Sequence, residues 1–340
     1  MATVPRIGID AMGGDHGPSV VVDGSVLALR EMPGRFSIVL IGDEAEIRRS
    51  LHRGGADGLP IEVVHAPERI DMAEKAALAV RRKTASSLGV MTRLHKEGHL
   101  DAIFSAGNTG AVVTAALLGL GRLEGVSRPA LAAFFPNAGG GTVVLDVGAN
   151  AEVKAPWLVQ FAHMGSAFAR YLLGRENPRV GLLSIGEEDT KGSPLVREAV
   201  PLLRRASHLN FIGNVEGGDL FEGTCDVVVT DGFTGNVVLK SAESVASMIT
   251  HLVRDEVKRD ALAGIGAALM TPAMRRIKKR LDWEEFGAAP LLGVSGVCFI
   301  GHGKSQARAI KGAIRTVAAF VEKNVNEHIH DEIAADPSAA

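Results

Sequence analysis

The sequence has little of several residue types, and each shortage excludes a class of protein. Two cysteines among 340 residues cannot form a disulfide framework and favour a reducing compartment, so we expect a cytoplasmic protein. With 12 Phe, 2 Trp, 1 Tyr and a net charge of −2, the chain offers neither stacking surfaces nor a basic field, which argues against nucleic-acid binding. No apolar run approaches the roughly 18 residues that a membrane-spanning helix needs, and the first residues show no signal-peptide pattern.

Common motifs of nucleotide, metal and covalent chemistry are also missing. The sequence contains no G-x-G-x-x-G, H-E-x-x-H, C-x-x-C or G-x-S-x-G, so it predicts neither a metal nor an organic cofactor. Cys225 and Cys298 border apolar strands and are interpreted as packed thiols. Residues 302–305 (His-Gly-Lys-Ser) resemble the end of a phosphate-binding loop whose first glycine is replaced by Cys298, and we interpret them as a helix start that can contact an anion.

Short β-branched runs alternate with longer helical stretches along the chain, which also contains 40 glycines. This alternation is typical of a parallel α/β sheet. We expect one α/β domain over residues 1–325 with two lobes at a cleft, a helical excursion at about 236–285, and a frayed tail at 326–340. One long helical stretch is predicted at Asp71–Glu97, and the first strand predicted after the excursion is Val297–Ile300.

Five predicted strand ends carry polar or glycine-rich turns. Ligands of parallel sheets bind beyond the carboxyl ends of the strands, where glycines permit close backbone approach and helix N-termini offer free N–H groups. Each turn alone is more simply a tight connection to a helix, but five turns at one edge favour an anion site. The candidate phosphate- and substrate-binding residues are Asp10, Gly13, Gly14, Asp15, His16, Gly17, Ser105, Gly107, Asn108, Thr109, Asp146, Asn150, Asp231 and Gly235.

Two side chains on these turns suit the chemistry of phosphate and of a developing oxyanion. Lys191 offers a cation for phosphate, and its alternative role is a surface ion pair with the acidic residues at 187–189. Asn236 offers a neutral amide donor for an oxyanion, and its alternative role is the N-cap of the helix that follows. The residues alone leave both alternatives open.

Five stretches recur in the same order in one known family. They are Ile7–Pro18, Ser105–Gly110, Leu145–Asn150, Gly186–Gly192 and Asp231–Asn236, and the match extends over about residues 5–325. In these stretches the chain strongly resembles the bacterial phosphate acyltransferases of the PlsX family. The resemblance implies a homodimer with a Rossmann-like three-layer α/β/α sandwich fold, similar to phosphate acetyltransferases and isopropylmalate dehydrogenases.

The same resemblance implies an activity and the residues that carry it. The family transfers a long-chain acyl group from acyl-carrier protein to inorganic phosphate, and the acyl phosphate feeds phospholipid synthesis through a glycerol-3-phosphate acyltransferase. Lys191 and Asn236 match the family's catalytic lysine and asparagine. We therefore expect Lys191 to bind phosphate and Asn236 to stabilise the oxyanion. The turns at 13–17 and 107–110 are further candidates for phosphate binding.

Residues 261–280 combine apolar positions at helical spacing with a basic cluster. The apolar positions include Ile265 and Leu269, and the basic residues are Arg275, Arg276, Lys278, Lys279 and Arg280. The combination fits contact with anionic lipid or with the acidic carrier protein. It fits equally a helix packed in a dimer interface. The family's peripheral membrane association favours a functional surface.

Two other functions fit parts of the pattern. A short-chain acyl-coenzyme A phosphate acyltransferase would use a similar scaffold. A non-catalytic scaffold that recruits lipid-synthesis enzymes to the membrane would not need Lys191 or Asn236. Phosphate-dependent turnover of long-chain acyl-carrier protein distinguishes the prediction from both.

Overall fold

The structure is a computed structural model that describes residues 4–137, 139–280 and 287–336, without the side chains of 277–280. Residues 337–340 of the predicted tail and the side chains of Lys278, Lys279 and Arg280 lie outside the described residues. The described strands are β1 (Arg6–Asp10), β2 (Ser37–Gly42), β3 (Ile61–His65), β4 (Ala102–Ser105), β5 (Ala130–Phe135), β6 (Thr142–Leu145), β7 (Arg179–Leu183), β8 (Asn210–Val215), β9 (Val227–Val229), β10 (Ala288–Leu292) and β11 (Cys298–Gly301). They form one sheet in the order β3-β2-β1-β4-β11-β10-β5-β6-β9-β7-β8.

Helices cover both faces of this sheet. They are α1 (Gly17–Glu31), α2 (Glu44–Arg53), α3 (Ala76–Arg82), α4 (Ser87–Lys96), α5 (Thr109–Gly119), α6 (Ala155–Ala167), α7 (Pro194–Arg205), α8 (Asp219–Glu222), α9 (Gly232–Val257), α10 (Ala261–Arg280), α11 (Ala307–Glu322) and α12 (Val325–Ala334). One hydrophobic cluster joins the sheet to α1, α6, α7, α11 and α12. A second joins it to α4, α5 and α8. The predicted three-layer α/β/α fold class is confirmed.

The sheet reverses direction near its middle. β10 is antiparallel to both β11 and β5, and β5 is antiparallel to β6. The other neighbouring strands are parallel. Strands β1, β4 and β11 therefore run opposite to β6, β9 and β7. The expectation that all five turns meet at one carboxyl edge is wrong, because the antiparallel steps divide the turns into two groups.

Local sequence signals place the outer elements correctly. The run Ile38–Ile41 is fully buried, as expected for a parallel strand covered on both faces. Asp43 caps α2, and its side chain accepts a hydrogen bond from the N–H of Glu46 at 2.9 Å.

The single helical stretch predicted at Asp71–Glu97 is wrong. It contains α3 and α4, and a new N-cap interrupts it where the side chain of Ser86 accepts from the N–H of Gly89.

The frayed tail predicted at 326–340 is also wrong for the part that the structure describes. α12 buries Val325, Ile329 and Ile333 against the body of the protein. Beyond the helix, the carboxylate of Asp336 lies 2.8 Å from Nε2 of His163, and both side chains are buried. Apolar residues four apart and a buried polar pair hold this end in place.

Candidate active site

The turns after β1, β4 and β11, at residues 10–17, 105–109 and 302–306, form what we call the first loop group. The hydroxyl of Ser105 donates to Oδ2 of Asp10 at 2.7 Å and accepts from the N–H of Gly107 at 3.1 Å. A Cβ atom at Gly13 would lie 2.9 Å from the nitrogen of Gly107, so the two turns approach too closely for a larger residue. The first two predicted turns are therefore in direct contact.

Asp10 is the buried centre of this group. Its side chain is 5% exposed and its Oδ1 accepts from the N–H of Met12 at 3.1 Å. Burial raises the pKa of Asp10, while hydrogen bonds from Ser87 and Ser105 and from the backbone oppose the rise. A buried carboxyl that accepts these bonds is suited to holding the turns in place rather than to contacting a phosphate anion.

The other candidates of the first loop group lie nearer the surface. Asn108 caps α5, accepting from the N–H of Ala111 at 3.1 Å, and Thr109 is exposed at the start of that helix. The N–H of Asp15 donates to the carbonyl of Gly303 at 2.8 Å, and the side chains of His16 and Gln306 meet at 2.9 Å. Gly14 and Gly17 adopt positive φ angles of 97° and 66°. The turn at 302–306, which precedes α11, thus closes over the first turn.

The turns after β6, β7 and β9, at residues 146–150, 184–192 and 230–236, form the second loop group. Asp146 organises the first of them. Its Oδ1 accepts from the N–H groups of Leu131, Gly148 and Ala149 at 2.9–3.1 Å. Its Oδ2 accepts from the backbone and side-chain amides of Asn150 at 2.6 and 2.9 Å. Burial raises the pKa of Asp146, and these hydrogen bonds oppose the rise. Through the same hydrogen bonds, the side chains of Asp146 and Asn150 hold this turn in place.

Helix α9 begins against this turn. The N–H of Gly232 donates to the carbonyl of Asn150 at 2.8 Å, and a Cβ atom at Gly232 would lie 2.7 Å from Oδ2 of Asp146. A Cβ atom at Gly235 would overlap the carbonyl oxygen of Asp146. Two glycines are therefore required for the close approach of α9 to the Asp146 turn.

The alternative role of Asn236 as an N-cap is wrong. Asp231 caps α9, accepting from the N–H of Thr234 at 2.8 Å and from its hydroxyl at 2.7 Å. Asn236 is the fifth residue of the helix and is exposed. Its side chain passes over Gly148, where a Cβ atom would lie 3.8 Å away. The amide is therefore available to a ligand at the start of α9.

The alternative role of Lys191 as a surface ion pair is also wrong. Asp189 pairs instead with Arg204 at 2.7 Å, and Lys191 forms no ion pair with any residue that the structure describes. Lys191 is exposed, and its backbone N–H donates to the carbonyl of Glu188 at 2.9 Å. Because β7 and β9 are parallel neighbours, the turns that carry Lys191 and Asn236 lie at the same edge of the sheet.

The sequence reasoning missed two polar residues beside Lys191. Nδ2 of Asn214 on β8 donates to the carbonyl of Glu188 at 2.9 Å and so supports the Lys191 turn. In the described part of the chain, Oδ1 of Asn214 and Oγ of Ser184 are buried and have no hydrogen-bond partner. Buried polar atoms without partners are rare, and a bound ligand is one explanation for them. In the sequence, the feature that could have identified them is a polar residue at the end of an otherwise apolar strand.

Comparison with known proteins identifies the family of this chain. A family model described as "Fatty acid synthesis protein" matches residues 5–328. A phosphate acyltransferase of Pelotomaculum thermopropionicum is 48% identical over 328 residues, which cover 96% of this chain and 95% of that protein. The chain belongs to the phosphate acyltransferase family. A second member, from Heliobacterium modesticaldum, is 48% identical over 96% of this chain and 98% of its own length. The predicted family is confirmed, as is the prediction of an acyltransferase.

Solved structures agree on the fold of this phosphate acyltransferase family member. A phosphotransacetylase from Streptococcus pyogenes superposes with a TM-score of 0.64 at 18% identity, covering 95% of each chain. A phosphotransacetylase from Staphylococcus aureus gives a TM-score of 0.60 at 15% identity over 94% of each chain. At these identities the likeness establishes the fold alone.

The predicted contact surface lies on what we call the α9–α10 arm, residues 232–280. Gly232 and Gly235 are the buried residues of α9, so most of this long helix is in contact with solvent. Ile265 and Leu269 on α10 are 61% and 78% exposed, and Arg275 and Arg276 are exposed as well. In the described residues, no helix is long and apolar enough to cross a membrane.

Both cysteine thiols are buried, as predicted. Burial raises the pKa of Cys225 to about 11 and that of Cys298 to about 12. Both thiols are therefore protonated at neutral pH and are poor nucleophiles. Within the ranges that the structure describes, no three His, Cys, Asp or Glu residues cluster in a way that could hold a metal ion.

Proposed function

We propose that this chain transfers a long-chain acyl group from acyl-carrier protein to inorganic phosphate and so makes acyl phosphate for phospholipid synthesis. The observation that carries the proposal is the second loop group. There, an exposed lysine and an exposed amide follow neighbouring parallel strands, and other residues hold both turns in place. Membership of the phosphate acyltransferase family supports phosphate as the acyl acceptor.

Lys191 binds the phosphate in this proposal. Asp189 is the acidic residue nearest to Lys191 in the sequence. It is paired with Arg204 through hydrogen bonds of 2.7–3.1 Å. Within the described residues the Lys191 side chain has no salt-bridge partner and is available to an incoming anion. An ammonium offers three N–H donors to phosphate oxygens and reduces the repulsion between phosphate and the developing oxyanion.

Asn236 acts on the acyl group. A phosphate oxygen attacks the thioester carbonyl carbon, and the carbonyl oxygen becomes an oxyanion as the new C–O bond forms. Nδ2 of Asn236 donates to this oxygen, and the nearby N-terminus of α9 adds a favourable dipole. When the tetrahedral intermediate collapses, the C–S bond breaks, and the thiolate of the carrier's pantetheine arm takes a proton from water or from Lys191.

Direct attack by phosphate suits the surroundings better than an acyl-enzyme intermediate. The raised pKa values of Cys225 and Cys298 keep both thiols protonated, and both side chains are buried. Phosphate carries its own negative charge at neutral pH and requires no general base to become a nucleophile. Alignment of the two reactants can then contribute about 7–11 kcal/mol to the rate enhancement.

The α9–α10 arm is proposed to bring the enzyme to its neighbours. The exposed apolar side chains of α10, followed by Arg275 and Arg276, suit peripheral contact with anionic lipid, near a glycerol-3-phosphate acyltransferase that consumes the product. The apolar side chains of α9, such as Met248 and Leu252, are 54% and 56% exposed and suit packing in a homodimer.

A direct assay tests the activity. The full chain is incubated with phosphate and either palmitoyl-acyl-carrier protein or acetyl-coenzyme A, and acyl phosphate is trapped with hydroxylamine. We expect phosphate-dependent product from the long-chain carrier substrate and little from acetyl-coenzyme A. The reverse preference would identify a short-chain enzyme, and no turnover with either donor would favour a non-catalytic scaffold.

A further inference from the structure

The turn at 302–306 has no role in the reaction proposed above, although it lies in the first loop group among polar residues. Lys304 is exposed there, and its N–H donates to Nδ1 of His302 at 3.2 Å. The strands that lead into this group run opposite to those that lead to Lys191 and Asn236. The protein therefore has a second set of polar turns, separate from the one assigned to the acceptor phosphate.

Two long helices begin at these turns. α1 has 15 residues and α11 has 16, and the two helices pack against each other. Their N-cap residues, His16 and Gln306, make no side-chain capping hydrogen bond. The first N–H groups of each helix precede its first internal hydrogen bond and need another acceptor. Two adjacent helix N-termini without caps form a region of positive potential.

Ser305 provides a second and independent indication of a ligand. It lies just before α11 and is 7% exposed. Its Oγ atom is buried and has no hydrogen-bond partner among the described residues. A buried hydroxyl without a partner is costly, and an oxyanion bound at the N-terminus of α11 would supply the missing acceptor.

The contacts of the turns hold these groups together. The N–H of Asp15 donates to the carbonyl of Gly303 at 2.8 Å, and the side chain of Gln306 meets Nε2 of His16 at 2.9 Å. The first loop group contains two acidic residues, Asp10, which is buried, and Asp15, whose carboxyl lies close to Gly303. The Asp15 carboxylate lies next to the start of α1, whose N-terminal dipole favours a negative charge.

We propose that Lys304, Ser305 and the N-termini of α1 and α11 bind the phosphate ester of the acyl donor, the group that joins the pantetheine arm to its carrier protein. The inference rests on the proposed function, because that donor carries a phosphate ester as well as the reacting thioester. Inorganic phosphate binds at Lys191, and the donor's ester phosphate binds at the first loop group.

Donors with and without the ester phosphate test this assignment. Turnover of palmitoyl-4′-phosphopantetheine and of palmitoyl-pantetheine is compared for the wild type, for Lys304→Ala and for Ser305→Ala. Lys323→Ala, which removes a charge just beyond the other end of α11, is the matched control. For Lys304→Ala we expect kcat/KM for the phosphorylated donor to fall about ten-fold or more, as for the loss of one charge-assisted hydrogen bond. We expect kcat/KM for palmitoyl-pantetheine and KM for inorganic phosphate to remain unchanged.

Two kinetic outcomes would overturn the assignment. If Lys304→Ala weakens both donors equally, the turn does not recognise the ester phosphate. If it raises KM for inorganic phosphate alone, the turn belongs to the acceptor site. Calorimetric titration of the wild type with 4′-phosphopantetheine and with pantetheine separates this inference from the proposed function. Tighter binding of the phosphorylated compound, lost in Lys304→Ala, supports the subsite even if no acyl transfer is detected, and equal binding of both compounds refutes it.

Discussion

Replacing Gly235 by alanine is expected to reduce turnover far more than it reduces stability. A methyl group at this position would overlap the carbonyl oxygen of Asp146, whereas ordinary contacts begin at 3.4 Å. The first turn of α9 would therefore shift by about an ångström and carry Asn236 with it. A displacement of that size at a reacting group costs about 10²-fold in rate.

The cost to stability is smaller, because two contributions oppose each other. Overpacking of a close contact typically costs about 1–3 kcal/mol. Alanine in place of glycine inside a helix recovers up to about 1 kcal/mol of backbone entropy. We therefore expect Gly235→Ala to lower the free energy of unfolding by roughly 1–2 kcal/mol and to leave the folded state populated.

The assay measures kcat for acyl phosphate formation together with urea unfolding followed by circular dichroism. Gly217→Ala is the matched control, because a Cβ atom there meets nothing within 4 Å. The control should retain wild-type values of kcat and of unfolding free energy. A folded Gly235→Ala protein with kcat within two-fold of wild type would refute the claim that the approach of α9 to Asp146 positions Asn236.

Four other perturbations have expected outcomes. Asn236→Ala should lower kcat by about 10²–10³-fold, the usual cost of one oxyanion donor. Lys191→Ala should raise KM for phosphate and lower kcat in steady-state assays. His95 accepts from the N–H of Val297 at 2.9 Å, and burial lowers its pKa from 6.5. The neutral ring is therefore the stable form, and the unfolding free energy should fall as pH decreases below 6.5. Leu269→Glu should reduce co-flotation with anionic vesicles.

Each of these perturbations has a control or a contrary outcome. Asn177→Ala and Lys96→Ala remove exposed side chains of the same types outside both loop groups and should leave kinetics unchanged. His95→Gln should reduce the pH dependence of stability, and part of it should remain because burial also lowers the pKa of His163. A slope equal to wild type would assign the titration to another group. Leu118→Glu, at a side chain 56% exposed on α5, should leave flotation unchanged.

The local features of the candidate site could be predicted from the sequence because short-range chemistry determines them. Glycine-rich turns after apolar strands indicate where backbone approaches backbone, as Gly13 and Gly107 do. The roles of Asp10 and Asp146 could not be predicted in the same way. A carboxylate at a strand end suits ligand contact and loop support equally well until its burial and its donors are known.

The strand directions could not be predicted because long-range pairing sets them. β10 reads Ala-Ala-Pro-Leu-Leu, and a proline argues against a central strand, yet Pro290 pairs with Phe299 in the middle of the sheet. The C-terminal helix had a signal that polar neighbours obscured. Val325, Ile329 and Ile333 repeat every four residues, a helical period, among histidines and acids.

The position of β10 and β11 in the sheet affects how the polypeptide folds during its synthesis. These two strands lie between β4 and β5, both of which are complete by residue 135. During synthesis the central strands of the sheet are thus the last to leave the ribosome. The strands on either side of them, from β3 to β4 and from β5 to β8, keep exposed edges until about residue 300 emerges. Exposed edges of this kind attract other nascent chains. Ribosome-proximal chaperones are therefore expected to engage this protein until its middle strands close the gap.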